Sequence, residues 1–132
     1  MLPIRIAAIA LAATVVAAPV GAQTQKEWVP FERAAFVAAQ ARGAPILLDV
    51  HAWWCPVCGS QARTVRAIVE SGKYLKLVVF RINYDKQKDV WRSFGVQKQA
   101  TLIAFHGKRE TGRIAFMTDK DKIAQLVAST EH

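Results

Sequence analysis

Cys55 and Cys58 are the only cysteines among 132 residues, and two residues separate them. A bond between them would close a very small loop and remove little entropy from the unfolded chain, so it would be a weak staple. The same spacing suits reversible thiol–disulfide exchange or ligation of a soft metal. The pair lies in Trp53-Trp54-Cys55-Pro56-Val57-Cys58. The apolar run Ile46-Leu47-Leu48-Asp49-Val50 precedes it, and Gly59 to Glu70, which reads as a helix, follows it. A dithiol is therefore placed where a strand stops and a helix begins. Main-chain N–H groups and the dipole at a helix start favour a thiolate. That predicts Cys55 as the activated sulfur at an exposed helix N-terminus, with Cys58 one turn inside.

Three neighbours bear on this chemistry. Asp49 interrupts an apolar strand, where a carboxylate without a partner is costly. Its candidate role is a base, direct or through water, that takes the proton of Cys58. The alternative is an exposed or hydrogen-bonded structural aspartate. His51 is two residues further on, so strand alternation puts it on the same face as Asp49. It could relay protons, stabilise a thiolate or join the cysteines as a metal ligand, or it could simply end the strand. Arg81 closes the next apolar run. If it lies beside Asp49, a buried pair would depress the carboxyl pKa and weaken the base; otherwise it reaches solvent. Trp53 and Trp54 flank the dithiol. Trp54 is read as a shield and an apolar platform for a partner and Trp53 as partly exposed, with a core role for one of them the alternative. Pro56 removes one N–H donor beside Cys55. His106 and His132 are expected at the surface with no role.

The rest of the chain must position these groups. Gln23 to Val29 is an irregular lead-in, and Pro30 suits the first turn of a helix. That helix covers Phe31 to Arg42, with Phe31, Ala35, Ala38 and Ala39 at helical spacing, and Gly43 and Pro45 stop it. Ile46 to His51 reads as a buried strand. Val65, Ile68 and Val69 give the post-cysteine helix its apolar face, and Ser71-Gly72 ends it. Leu75 to Ile82 is a second near-continuous apolar strand, a pattern typical of parallel strands covered on both faces. A short helix over Asp89 to Phe94 is closed by Gly95. Thr101 to Phe105 and Glu110 to Phe116 form a hairpin around His106-Gly107-Lys108. Thr118 is the expected N-cap of a last helix with Ile123, Leu126 and Val127 as its stripe. The order is helix, strand, helix, strand, helix, strand, strand, helix.

Met1 to Ala22 reads as a secretory signal peptide. Arg5 supplies the positive start, Ile6 to Ala18 is uncharged, and Val20-Gly21-Ala22 offers small residues for cleavage. A retained anchor is the alternative, but a spanning helix wants about 20 apolar residues, and Pro19 and Gly21 cut this run short. Removal of the first 22 residues would leave 110, enough for one domain over 23–132. The formal net charge of +8 would fall to +7 with the loss of Arg5. The charges are spread rather than clustered, which favours a solvated surface over a lipid or acidic docking face. No basic-aromatic motif points to nucleic acid.

The order of elements with the dithiol after the first strong strand resembles the thioredoxin family over about 100 residues, a plausible extent for one domain. Ile46-Leu47-Leu48-Asp49 resembles its central strand with a buried aspartate, and Ala52-Trp53-Trp54-Cys55-Pro56-Val57-Cys58 its active-site segment. Arg81-Ile82-Asn83-Tyr84-Asp85 is similar to the end of its next strand. Phe94-Gly95-Val96 and Thr101-Leu102-Ile103-Ala104-Phe105 are similar to its approach to the hairpin. The resemblance implies an α/β fold with a mixed sheet of about four or five strands and helices on both faces. It implies a thiol–disulfide oxidoreductase with Cys55 as nucleophile, Cys58 as resolving residue, Asp49 as base and a reversible Cys55–Cys58 disulfide, with no cofactor. It places Trp54, Pro56, Ala100 and Thr101 at the substrate surface.

Together with the signal, it implies a periplasmic protein that reduces partner-protein disulfides and whose mature form does not span a membrane. Such a protein would be recharged by a membrane thiol transporter of the DsbD or CcdA type, with cytochrome c maturation a common destination. Three positions depart from the family: Ala100 stands where a cis-proline is usual, His51 where an aromatic is usual, and Pro56-Val57 replaces glycine-proline. A cis bond before a non-proline residue costs about 3–4 kcal/mol, so the Gln99–Ala100 peptide is expected to be trans. Missing proline also keeps a rival open: a copper-binding or delivery module using Cys55 and Cys58, with or without His51, and no turnover. A thioredoxin-like adaptor without turnover is a third reading.

Overall fold

The computed structural model describes Pro3 and residues 28–132; the signal reading over 1–22 lies outside the described residues except for Pro3. Five strands form one mixed sheet: β1 (Val29–Pro30), β2 (Pro45–His51), β3 (Val78–Asn83), β4 (Thr101–His106) and β5 (Arg109–Ala115). Their spatial order is β1-β3-β2-β4-β5. β1 and β2 run parallel to β3, while β4 is antiparallel to both β2 and β5. Among the described residues there are four helices: α1 (Arg33–Ala41), α2 (Pro56–Glu70), α3 (Lys88–Ser93) and α4 (Lys120–Ala128). A single 3-10 turn follows over Ser129–Glu131.

Alternation along the strands divides the core into two layers. Ile46, Leu48 and Val50 of β2 join Val78, Phe80 and Ile82 of β3 on one face. There they meet Phe36 of α1, Trp91 of α3 and Phe105 of β4. Leu47 and Val79 point the other way, against Val65 of α2 and Ile123, Leu126 and Val127 of α4. Asp49 shares the parity of Leu47, and Arg81 that of Val79. The sheet register sets Asp49 beside Arg81. The charged residues of the two central strands therefore fall on the face that α2 covers.

Several details differ from the sequence reading. Pro30 does not start a helix. It lies exposed in β1, whose two residues add an edge strand to β3, a place where a residue without an N–H is tolerated. The buried face of α1 is Phe36 and Ala39, while Ala35 and Ala38 face solvent. Large aromatic area decides the orientation, because alanine buries too little surface to compete. Leu75 is 82% exposed, outside β3, whose parallel pairing begins at Val78. Asp119, not Thr118, caps α4 by accepting the Lys122 N–H. His106 is half-buried, with Nδ1 2.8 Å from the Thr130 carbonyl. The hairpin turn is Gly107-Lys108, and Gly107 takes φ +57° where an added Cβ would meet Gly43 Cα at 3.2 Å.

Candidate active site

β2 ends at His51, and the chain turns through Ala52, Trp53 and Trp54 into α2. Cys55 is the N-cap of that helix, with extended backbone, and its Sγ accepts the Cys58 N–H at 3.1 Å. Pro56 follows in the first turn, where its missing N–H is not needed by the helix. An anionic Cys55 sulfur would meet a main-chain donor and the positive end of the helix. Cys55 is less open than the sequence suggests: it is 5% exposed and Cys58 0%. Both thiols are free, and they pack with Ala52 and Ala100 in one small apolar cluster that Val57 and Tyr84 flank. Burial, opposed in part by an Ala52 main-chain contact, pushes the Cys58 thiol up to about 12, with the Cys55 sulfur and the Asp49 charge adding to the rise. Cys58 therefore stays a thiol at neutral pH until a base takes its proton.

Asp49 lies under the turn and is buried. Arg81 Nε donates to its Oδ2 at 3.1 Å, and the other carboxyl oxygen has no hydrogen-bond partner. Of the two alternatives for Arg81, the pair with Asp49 forms while part of the side chain also reaches solvent, and the depression such a pair would bring does not follow. Burial raises the carboxyl to about 6, outweighing the lowering by the Arg81 charge and hydrogen bond. Arg81 itself keeps 33% of its side chain in solvent and lies over the Trp28 ring at 3.8 Å, so its attraction is partly screened. His51 Nδ1 is 3.7 Å from Asp49 Oδ2, on the same face as the alternation requires. Burial first, and then the Arg81 charge, lower the imidazole to about 4, so it is neutral at pH 7. His51 is thus turned toward Asp49. Among the described residues no group of three His, Cys, Asp or Glu side chains could hold a metal ion, and the copper reading gains no support.

The four residues expected at the substrate surface separate into two kinds. Trp54 is 48% exposed; its Nε1 donates to both carboxylate oxygens of Asp85, at 3.2 and 3.1 Å, and its ring meets Tyr84 edge-on. Pro56 is exposed beside it, and Trp53 is 85% exposed, so neither tryptophan is a core residue. Ala100 and Thr101 are buried. Thr101 Oγ1 donates to the Lys98 carbonyl, so its hydroxyl is occupied within the fold. Ala100 forms a wall of the dithiol cluster. The described residues contain no cis peptide, as expected of Gln99–Ala100, and Ala100 instead adopts φ +60°. A left-handed alanine costs about 1–2 kcal/mol. The sequence reading missed Gln61, which is fully buried and binds the Ala100 carbonyl through Nε2 at 3.0 Å. The available signal was a polar residue between Cys58 and Val65 on the inward stripe of α2.

A strand-borne buried carboxylate, a dithiol at a helix start and an alanine wall opposite it are carried by a five-stranded mixed sheet. Residues 27–129 match the Thioredoxin family model. The chain belongs to the thioredoxin family. It is 30% identical to a thioredoxin of Alicyclobacillus acidocaldarius over 83 residues, 62% of this chain and 78% of that one. Its fold is similar to the crystal structure of Trxlp from Edwardsiella tarda, at TM-score 0.73 and 37% identity over 76% of this chain and 98% of that one. It is also similar to the thioredoxin NaTrxh of Nicotiana alata, at TM-score 0.64 and 25% identity over 74% and 82% of the two chains. As a thioredoxin-family protein with a close Cys55–Cys58 pair, it is a thiol–disulfide oxidoreductase, and the family acts on the disulfides of substrate proteins.

Proposed function

We propose that this thioredoxin-family protein is an exported reductant of partner-protein disulfides that works in the periplasm. The observation that supports the direction is the Thioredoxin family match over residues 27–129, beside a Cys58 thiol that burial pushes up to about 12. A dithiol becomes a strong oxidant when its reduced form is specially stabilised as a thiolate. Here one of the two sulfurs resists ionisation, and Pro56 contributes no N–H to the other. That leaves the Cys55 sulfur with one main-chain donor, the Cys58 N–H.

In the proposed cycle, Cys55 attacks a partner disulfide, forms a mixed disulfide and releases one partner thiolate. The Asp49 carboxylate, directly or through water, takes the Cys58 proton. The resulting thiolate attacks Cys55 Sγ, the bond between Cys55 and the partner sulfur breaks, and that sulfur leaves as a thiolate that takes up the proton held by Asp49. Two electrons pass to the partner, and a Cys55–Cys58 disulfide remains. Trp54 and Pro56, exposed beside the sulfur, provide the surface on which a partner rests. Ala100 and Thr101 act from behind it, as the wall and the start of β4.

Export rests on Arg5, the uncharged Ile6 to Ala18 run and the small residues before Gln23. Among the described residues no helix is long and apolar enough to cross a membrane. A membrane thiol transporter of the DsbD or CcdA type would return electrons to the oxidised pair. The test is a glutathione titration of residues 23–132 with an insulin-reduction assay, and N-terminal sequencing of the protein from a periplasmic extract. A potential near the roughly −270 mV of a reductant, insulin reduction and a start at Gln23 are expected. A potential near the roughly −120 mV of a strong oxidant, or no turnover, would overturn the reductant. An intact Met1 would overturn cleavage.

A further inference from the structure

We propose that Gln61 is a positioning residue that clamps the wall of the dithiol in its left-handed form and so sets affinity for a protein substrate. This rests on the reading of the site as a reductant of protein disulfides. Gln61 lies one turn beyond Cys58 on the same side of α2. Its Nε2 donates to two carbonyls, Ala100 at 3.0 Å and Met117 at 2.9 Å. These carbonyls belong to the two arms at the open end of the β4–β5 hairpin. Each arm carries a left-handed residue, Ala100 at φ +60° and Phe116 at φ +55°, and they are the only non-glycine residues with positive φ among those described. The Phe116 N–H donates to the Ala100 carbonyl at 2.9 Å, so one amide of Gln61 ties both arms to the helix that carries the cysteines.

The chemistry of this amide fits a clamp better than a space-filler. Its Oε1 is buried without a partner, which an apolar side chain of the same length would avoid. Turning the amide over would set Oε1 against two carbonyl oxygens, so the orientation with Nε2 toward them is fixed by its acceptors. The Ala100 N–H is also taken, by the Val50 carbonyl at 2.9 Å, which pins the residue from the β2 side. What the clamp holds matters to the site: Ala100 packs on Cys55 and Cys58. Phe116 is partly exposed with Lys98 Nζ 4.3 Å from its ring, so a shift of this arm would move surface that a docked protein touches.

The test compares wild type, Gln61→Met, Ala100→Gly and the double variant. Methionine keeps length and burial but cannot donate. Glycine takes positive φ without a Cβ penalty and so removes the need for the clamp. Gln61→Met is expected to raise KM for insulin about fivefold or more, with kcat within about twofold, a loss of uniform binding. Amide exchange at Phe116 should quicken about tenfold or more as its local bond opens. Adding Ala100→Gly should recover most of the KM. Unchanged exchange, unchanged KM, or a double variant no better than Gln61→Met would overturn the assignment. If Gln61→Met does not fold, a folded double variant still supports the clamp, and failure of both overturns it. Wild type without insulin turnover would instead sink the reductant reading, and Phe116 exchange would then decide the clamp alone.

Discussion

The two faces of the sheet are built from the same strands and differ in what they hold. On the α1 side, Phe31, Phe36, Phe80, Phe94 and Phe105 meet mostly edge-on, with centroids 5.4 to 6.3 Å apart, and the exposed Arg33 guanidinium lies over the Phe31 and Phe94 rings at the rim. On the α2 side, the same alternation delivers Asp49, Arg81 and His51 beneath the dithiol, and Gln61 beside it. One face is organised for packing. The other carries a buried carboxylate, an unpartnered amide oxygen and a strained alanine, each unfavourable by itself. The α2 side carries these groups at the end of its own apolar layer, built from Leu47, Val79, Val65 and the α4 stripe.

The largest stability effect is expected on the packing face. Phe36→Ala should cost about 3–5 kcal/mol in denaturant unfolding, while the surviving folded protein keeps its exchange rate. A large loss of rate at equal folded fraction would break the division between the faces. On the chemical face the sign reverses. Asp49 keeps its proton in the folded protein up to about pH 6, whereas an unfolded aspartate loses it near 3.8. Its contribution to stability is therefore full below pH 3.8 and is lost as pH rises to 6, on the order of 2–3 kcal/mol. Asp49→Asn, which can still accept from Arg81, should raise stability at pH 7 by up to that amount. It should also slow the Cys58 step by roughly 10–100-fold and remove the rise in that step through pH 6. Stopped-flow decay of the mixed disulfide measures this, and an unaltered pH profile would remove Asp49 from the role of base.

His51 sharpens the same point. Its ring is protonated below about 4 when folded and below 6.5 when unfolded, so its contribution is present above 6.5 and lost as pH falls to 4. The two groups oppose each other, and wild-type stability should be nearly flat between pH 4 and 6. His51→Phe should expose the Asp49 slope, with stability falling by roughly 2 kcal/mol as pH rises across that window. Thermal melts across the window that stay flat would contradict the opposition. The smallest effect is at the wall. Ala100→Gly releases about 1–2 kcal/mol of left-handed strain but adds freedom to the unfolded chain worth about 0.4–1 kcal/mol, leaving a gain of about 0–1.6 kcal/mol in chemical denaturation. A clear loss would mean that φ +60° is not strained there.

Much of this was legible in residue order. Apolar runs, the dithiol at a strand–helix junction and the parity of Asp49 and His51 follow from residue order, and the structure has the same sheet core and the same placement of these side chains. What was not legible depends on tertiary burial. Leu75 reads as strand, but parallel pairing starts at Val78 and leaves it in solvent. Arg81 was visible as a partner for Asp49, yet the raised carboxyl depends on how far each is buried, which no spacing reports. Gln61 stood on an inward stripe, but its role appears only when the hairpin arms close on it. Two-residue β1 has too little sequence to carry a pattern at all.

In the proposed cycle the two cysteines are unequal, with Cys55 attacking and Cys58 resolving. Cys58→Ser and Cys55→Ser proteins, each incubated with insulin and quenched with acid, can be compared by peptide mass spectrometry for a mixed disulfide. Cys58→Ser is expected to accumulate an adduct on Cys55, while Cys55→Ser forms one on Cys58 at least about 100-fold more slowly, because that thiol is fully buried and held protonated. Equal rates of adduct formation on the two cysteines would contradict it.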